Sequence, residues 1–239
     1  MLSEKIMQIF RYHRRRYGAR RIAQELKDQG YTLDRKRVSR LMNSLGIEAI
    51  QPKSFKPRST ESRHRLGYSP NLLIETKITR VGHAWVGDIT YIPCAEFRYC
   101  YLSVLMDFCS RRIVGWHLNS DMTENLVLTS LRKAIATCQP EPGLIHHTDR
   151  GGQYASKQYR YVLTLAQIQQ SMSRAKECYD NAFMESCFGT IKNELEITEY
   201  KTMHEAKHEV QRYISYYNFE RKHSSLGYRT PYQFESTQA

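Results

Sequence analysis

AWVGDITYI, residues 84–92, sets β-branched and aromatic residues around a single acid, Asp88. That composition marks a strand, and a carboxylate inside a strand is costly to bury unless it is paired or holds a metal. Two runs of the same character follow closely, YCYLSVLMD (99–107) and RRIVGWHLN (111–119), so an antiparallel meander is expected. Beyond them Thr123 can cap a helix through Cys138, with Leu126, Val127, Leu131, Ala134 and Ile135 facing inward. A short apolar strand spans Leu144–Thr148, a helix runs through Tyr159–Ala166, a strand lies near Ile168–Met172, and a last helix covers about 181–195. The order βββαβαβα predicts an α/β fold, a mixed sheet flanked by helices.

Upstream the pattern changes to helical spacing. Leu2, Ile6, Ile9 and Phe10 share one face, and Tyr17-Gly18 should break that helix. A second helix from about Ala19 carries Ile22, Ala23 and Leu26 and ends at Gly30; Asp34 then caps a third with Val38, Leu41, Met42 and Leu45, closed by Gly46. This is a helix-turn-helix arrangement, and Arg35, Lys36, Arg37 and Arg40 occupy the polar face of its last helix, where a recognition helix meets a major groove. From Glu48 to about Glu75 the periodicity dissolves into Pro52, Pro57 and Pro70 among basic residues, as in an extended linker. The expected organisation is a DNA-binding domain over 1–47, a basic linker over 48–76 and a catalytic core with a helical tail over 77–239.

Charge supports that division. The 239 residues carry +12, yet residues 1–75 hold 17 Lys+Arg against 7 Asp+Glu and so account for +10 of it. A local excess of that size is the electrostatic footprint of a polyanionic partner, here double-stranded DNA. Mean hydropathy is −0.62 and no apolar run reaches membrane-spanning length, so a cytoplasmic protein without a membrane partner is expected. Six cysteines lack C-x-x-C spacing and read as reduced thiols; His146 and His147 end an apolar run and read as structural.

Asp149 falls just past the fourth strand, a usual place for chemistry in mixed sheets, and Glu185 falls on the last helix of the core. Any one of the three acids alone reads equally as a capping or surface carboxylate. As a set they suit two-metal phosphoryl transfer, because Mg²⁺ or Mn²⁺ needs several hard oxygen ligands. No Gly-rich P-loop, G-x-S-x-G or H-E-x-x-H motif competes with that chemistry.

The residues around the acids are WVGDIT (85–90), HTDRGGQY (147–154) and CYDNAFMESCFGTIKNE (178–194). They resemble the three catalytic blocks of bacterial insertion-sequence transposases with a DDE integrase core, and 60 and 35 residues separate the successive acids. YNFERKHSSLGYRTPYQFE (217–235) resembles the ending of the second-reading-frame product (OrfB) of the insertion-sequence-three family, and YGARRIAQEL with RKRVSRLM resembles its N-terminal helix-turn-helix. Where the family more often shows serines, Thr148 and Gly152 stand here, and Cys187 stands at a usual Phe. The resemblance implies a ribonuclease H-like fold, with Asp88, Asp149 and Glu185 catalytic and holding two Mg²⁺ ions for which Mn²⁺ can substitute. It also implies cleavage at element ends, attack of the freed 3′-hydroxyl on another phosphodiester, a homo-oligomer on DNA, and an upstream-frame partner (OrfA) joined by frameshifting.

Other roles stay open at this level. Gly189 and Lys192 share the helix face of Glu185, so Lys192 is either a DNA contact or a solvated lysine. Arg150 and Gln153 either orient DNA or water or hold the loop; Asn181 can cap its helix; His223 serves DNA contact or tail packing; Trp85, Trp116 and the tyrosine-rich stretch Tyr213–Tyr217 read as core and helix-packing aromatics, with base stacking as the alternative. The rivals to a transposase are a non-enzymatic DNA-binding regulator and a nuclease that cannot transfer strands. Neutralising Arg35, Lys36 and Arg37 together is expected to weaken duplex binding and flatten its salt dependence by about one unit of slope per lost phosphate contact, read from titrations across a salt series.

Overall fold

The computed structural model describes residues 1–51, 66–174, 182–195 and 199–238. Three short helices come first: α1 (Leu2–Tyr12), α2 (Ala19–Asp28) and α3 (Arg35–Ser44). Gly30 follows α2 at φ +87 and Gly46 follows α3 at φ +62, the left-handed conformation that ends helices on glycine. Asp34 caps α3 by accepting the Arg37 backbone N–H at 2.9 Å. Ile6, Phe10, Ile22, Leu26, Val38 and Met42 close a small core around Tyr17, and Arg35, Lys36, Arg37 and Arg40 are left exposed on α3.

Of the stretch read as a linker, residues 52–65 lie outside the described residues. Its end runs beside a strand, with the Met172 N–H donating to the Pro70 carbonyl at 3.2 Å and the Leu72 N–H to Ser171 Oγ at 2.9 Å.

The sheet comprises β1 (Ala84–Cys94), β2 (Arg98–Asp107), β3 (Ile113–Asn119), β4 (Ile145–Thr148) and β5 (Gln169–Met172), in the order β3-β2-β1-β4-β5. The first three strands form the expected antiparallel meander, and β4 and β5 add in parallel. Helices α4 (Glu124–Cys138), α5 (Gly152–Ala155) and α6 (Lys157–Leu165) separate the later strands. Helices α7 (Ala182–Glu194), α8 (Met203–Phe219) and α9 (Pro231–Ser236) complete the chain. Alternation along the strands builds two cores: Trp85, Leu105 and Val114 pack with α4 and α6, whereas Val86, Val104 and Leu118 pack with α7 and α8.

Helix α4 approaches the sheet most closely at Gly115. A Cβ there would stand 2.5 Å from the Ser130 carbonyl oxygen and 2.8 Å from Ala134 Cβ, so only glycine fits. Next to it the Ser103 and Ser130 hydroxyls share a buried hydrogen bond of 2.7 Å.

The N-terminal helices dock on the tail. His13 stacks on Tyr17 with centroids 3.6 Å apart and places Nδ1 2.9 Å from the Tyr216 hydroxyl. The Lys222 N–H donates to the Tyr17 hydroxyl at 2.7 Å, and its ammonium pairs with Glu25 at 2.9 Å and with Asp28.

Buried histidines make the fold acid-sensitive. Burial, reinforced by nearby cations, pushes His13 down to about 4 and His223 to about 2; burial pushes His146 to about 3. All three are neutral in the folded chain at pH 7, whereas the unfolded chain binds their protons below pH ~6.5. Stability is therefore full above that pH and falls as pH drops toward 4, by at most roughly 1.4 kcal/mol per unit for each histidine. Urea midpoints at pH 7.5, 6 and 5 check this, and an unchanged midpoint would contradict it. Gly115→Ala is expected to cost about 1–3 kcal/mol or more in the same assay, because the Ser130 backbone cannot yield without moving α4.

Candidate active site

The two aspartates are aligned by strand register. β4 runs parallel to β1 with Val86 opposite His147, an offset of 61 residues. The same offset, carried two residues past the last paired positions, brings Asp149, one residue past β4, to the end of the sheet where Asp88 lies. Both positions are half-buried. Asp149 Oδ1 accepts the Gly151 N–H at 2.9 Å, and a Cβ on Gly151 would stand 3.0 Å from that oxygen, so the glycine leaves the carboxylate room to curl back. Asp88 Oδ1 accepts the Ile89 N–H at 2.7 Å. The buried Tyr154 phenol is raised well above its usual range by burial first, then by Asp88 and Asp149, so both carboxylates bear on one ring.

Helix α7 lies over this row of the sheet. Met184, Phe188 and Ile191 share a core cluster with Val104, the residue paired with Asp88. Glu185 is on the helix; its side chain lies outside the described residues. Position 185 is one turn before Gly189, where a Cβ would meet nothing within 4 Å, and two turns before Lys192. Lys192 is half-buried with Nζ 4.2 Å from the Tyr91 ring centroid; burial pulls its ammonium down to about 8, partly offset by the charge of Asp88. The second half of α7 thus stands beside the first aspartate. Asn181 lies outside the described residues.

The end of α7 is fixed by a carboxylate that the sequence motifs contain but do not single out. Glu194 is buried and takes a two-pronged ion pair from Arg221, Nε to Oε2 at 2.7 Å and Nη2 to Oε1 at 2.6 Å. The Tyr213 hydroxyl donates to it at 3.1 Å, Arg21 lies 3.7 Å away, and Arg16 Nε donates to its backbone carbonyl at 2.9 Å. Burial alone would lower Arg221, but Glu194 more than reverses this and leaves it raised. The available signal was chemical: Glu194 ends the third block and Arg221 lies in the tail motif.

Arg150 and Gln153 are engaged within the protein. Arg150 Nε donates to the Ser173 carbonyl at 2.7 Å and its guanidinium lies 4.6 Å from the Tyr68 ring centroid; Gln153 donates to the Met122 carbonyl at 3.2 Å. His146 bonds the Tyr159 hydroxyl at 2.7 Å, and His147 lies between Ser171 and Ser173 at 2.8 and 3.2 Å. His223 is buried against Tyr217, which is tail packing. The five described cysteines are free. Among the described residues no cluster of three His, Cys, Asp or Glu side chains forms. The two aligned carboxylates are hard oxygen donors of the kind that fits Mg²⁺ or Mn²⁺ better than zinc.

Comparison with known proteins establishes the family and the fold. A family model described as integrase core domain matches residues 78–178, another of the same description matches 166–231, and one described as HTH-like domain matches 1–55. The chain is 41% identical over 238 residues to the transposase for insertion sequence element IS904 of Lactococcus lactis, covering 98% of this chain and 93% of that one. It is 36% identical over 234 residues to transposase InsF for insertion sequence IS3A of Escherichia coli K12, covering 97% and 81%. Among solved structures, the HTLV-2 integrase catalytic core domain in complex with magnesium superposes with a TM-score of 0.52 at 18% identity, over 64% of this chain and 96% of that one. The simian T-cell lymphotropic virus intasome in complex with PP2A regulatory subunit B56 gamma gives a TM-score of 0.55 at 17% identity, over 96% and 74%. These likenesses fix the fold as a ribonuclease H-like integrase core behind an N-terminal helical domain. The chain belongs to the IS3 family of DNA transposases. An integrase core implies a divalent-metal-dependent reaction on DNA.

Glu194→Gln is expected to cost about 3–5 kcal/mol in urea denaturation, since it leaves the buried Arg221 guanidinium uncompensated. Replacing both partners with Met should recover much of that loss.

Proposed function

We propose that Asp88, Asp149 and Glu185 hold two divalent ions, Mg²⁺ with Mn²⁺ as substitute, and that the chain cuts element ends and joins the freed 3′-hydroxyl to another phosphodiester. The observation that carries this reading is the parallel register of β1 and β4, which brings Asp88, inside β1, and Asp149, one residue past β4, to the same end of the sheet under α7. When bound, the metals supply charge neutralisation and activation of the attacking oxygen. The chain's own residues do the positioning. The strand fixes Asp88, the turn at Gly151 fixes Asp149, and the clamp on Glu194 sets the far end of the helix bearing Glu185. Lys192, half-buried and within the field of Asp88, would meet a phosphate of the strand in the site. Arg150 contributes by holding the Asp149 loop against Ser173, with its outer face toward DNA.

The division into residues 1–47 for DNA binding, 48–76 for connection and 77–239 for catalysis belongs to the same reading. Arg35, Lys36, Arg37 and Arg40 supply the DNA contacts of α3. The acting form is a homo-oligomer on duplex DNA in the bacterial cytoplasm, with an upstream-frame partner (OrfA) adding end recognition. No described helix is long and apolar enough to cross a membrane.

A strand-transfer assay tests this: the full chain, a labelled duplex bearing the element's terminal repeats, and Mg²⁺ or Mn²⁺. Joined products are expected from the wild type and none from Asp88→Asn, Asp149→Asn or Glu185→Gln, with duplex affinity largely kept. Cleavage without joining would make the chain a nuclease under these conditions, and binding without chemistry would make it a regulator. Near-normal turnover by one variant would remove that residue from the site.

A further inference from the structure

A cleft of about 380 Å³ opens between the N-terminal helices and the tail that follows α8. Arg20 and Arg21 of α2 with Arg35 and Ser39 of α3 form one wall, and Ser224 and Tyr228 of the tail form the other. No carboxylate lines it. Arg21 is shared with Glu194 at 3.7 Å, but among the described residues neither Arg20 nor Arg35 forms an ion pair. The guanidiniums of Arg20 and Arg35, with Arg21 shared, and the hydroxyls of Ser39, Ser224 and Tyr228 make a site rich in donors, matched to an oxyanion with several acceptor lone pairs.

The two walls are held in fixed relation. Lys222, two residues before Ser224, is tied through its backbone N–H to Tyr17 and through its ammonium to Glu25 and Asp28. Past it, residues Ser224–Leu226 make one 3-10 turn closed by a bridge between His223 and Arg229. Tyr228 then takes φ +62, a left-handed conformation that a bulky side chain rarely adopts. Its N–H donates to the His223 carbonyl at 2.8 Å, which holds the strained residue in place. Within HSSLGY, His223 and Leu226 are buried, so Ser224 and Tyr228 are what the motif offers to the cleft.

Position selects the ligand. Arg35 opens α3, and Lys36, Arg37 and Arg40 follow it exposed on the same helix. An oxyanion bound at the head of a groove-reading helix is a backbone phosphate, the contact that sets such a helix in register on a duplex. We propose that the cleft takes one phosphodiester of duplex DNA, so that the tail motif and the N-terminal helices grip DNA jointly. The inference rests on α3 being the DNA-reading helix of the reading above.

The test uses the full chain, a 30-base-pair duplex of random sequence as probe, and titrations at several salt concentrations. Ser224→Asp places a carboxylate among the arginines; Ser224 is exposed at the start of its turn, so the fold tolerates the change. Gln238→Glu alters net charge equally on the same tail, outside the cleft. Ser224→Asp is expected to weaken binding about tenfold and lower the salt slope by about one relative to Gln238→Glu, with Ser224→Ala intermediate in affinity. Equal affinity and slope for Ser224→Asp and Gln238→Glu would overturn the proposal. A Lys36→Ala, Arg40→Ala variant separates the two levels: if it weakens binding while Ser224→Asp does not, the cleft fails and α3 stands. If neither variant weakens binding, α3 fails and takes the cleft with it.

Discussion

Glu194 and Arg221 are the pair on which the arrangement of this molecule depends. Two opposite charges removed from water repay their desolvation only when geometry and further hydrogen bonds are good. Here the fork of Arg221 meets both carboxylate oxygens, and Tyr213 adds a third donor. Three parts of the chain meet at that point: the end of α7, the segment after α8, and through Arg16 and Arg21 the N-terminal helices. The helix over the aspartates is thereby tied to the domain that carries most of the positive charge.

That tie changes the meaning of the N-terminal arginines. Arg16 lies 4.6 Å from the Tyr216 ring and Arg14 pairs with Glu209 at 3.5 Å, so part of the basic excess faces the protein itself. Among the described residues of the N-terminal helices, α3 carries the largest group of exposed cations, Arg35, Lys36, Arg37 and Arg40, with Arg11, Arg14 and Arg15 at and just past the end of α1 and Arg20 and Lys27 on α2. A count of residues by segment locates the basic third of the chain, but which cations turn outward is decided by the aromatic surface of α8 on which the helices settle.

Local patterns were sufficient for the three N-terminal helices, the strands, α4, α6 and α7, whereas α5 and the separate helices of the tail were not read from them. The meander, the helix ends at Gly30 and Gly46, the Asp34 cap and the placement of Asp88 within a strand all follow from local propensities. Several features had no local signal. The docking of His13 on Tyr216 joins residues 203 apart, and the Glu194–Arg221 pair joins residues 27 apart without any helical or strand period to announce it. Gly115 stands within a strand as an ordinary glycine, and its necessity emerges only when α4 lies on the sheet. Of the candidate site, the place of each aspartate at strand centre and strand end was legible; that the two strands lie side by side was not, because β4 adds to β1 across the whole of α4. The engagement of Arg150 with Ser173 was not, because it depends on where the chain turns after β5.

The parallel register of β1 and β4 bears on which length changes this chain can absorb. The 60 residues between the aspartates are mostly meander and helix, and their number has no chemical meaning. The two-residue steps from Val86 to Asp88 and from His147 to Asp149 do, because each side chain alternates face along its strand. An added residue in the 139–143 loop lengthens a connection and leaves both carboxylates in place. One removed at Thr148 turns Asp149 to the opposite side of the sheet. Drift in the length of this core is therefore tolerated in a connecting loop such as 139–143 and forbidden within two residues of either acid.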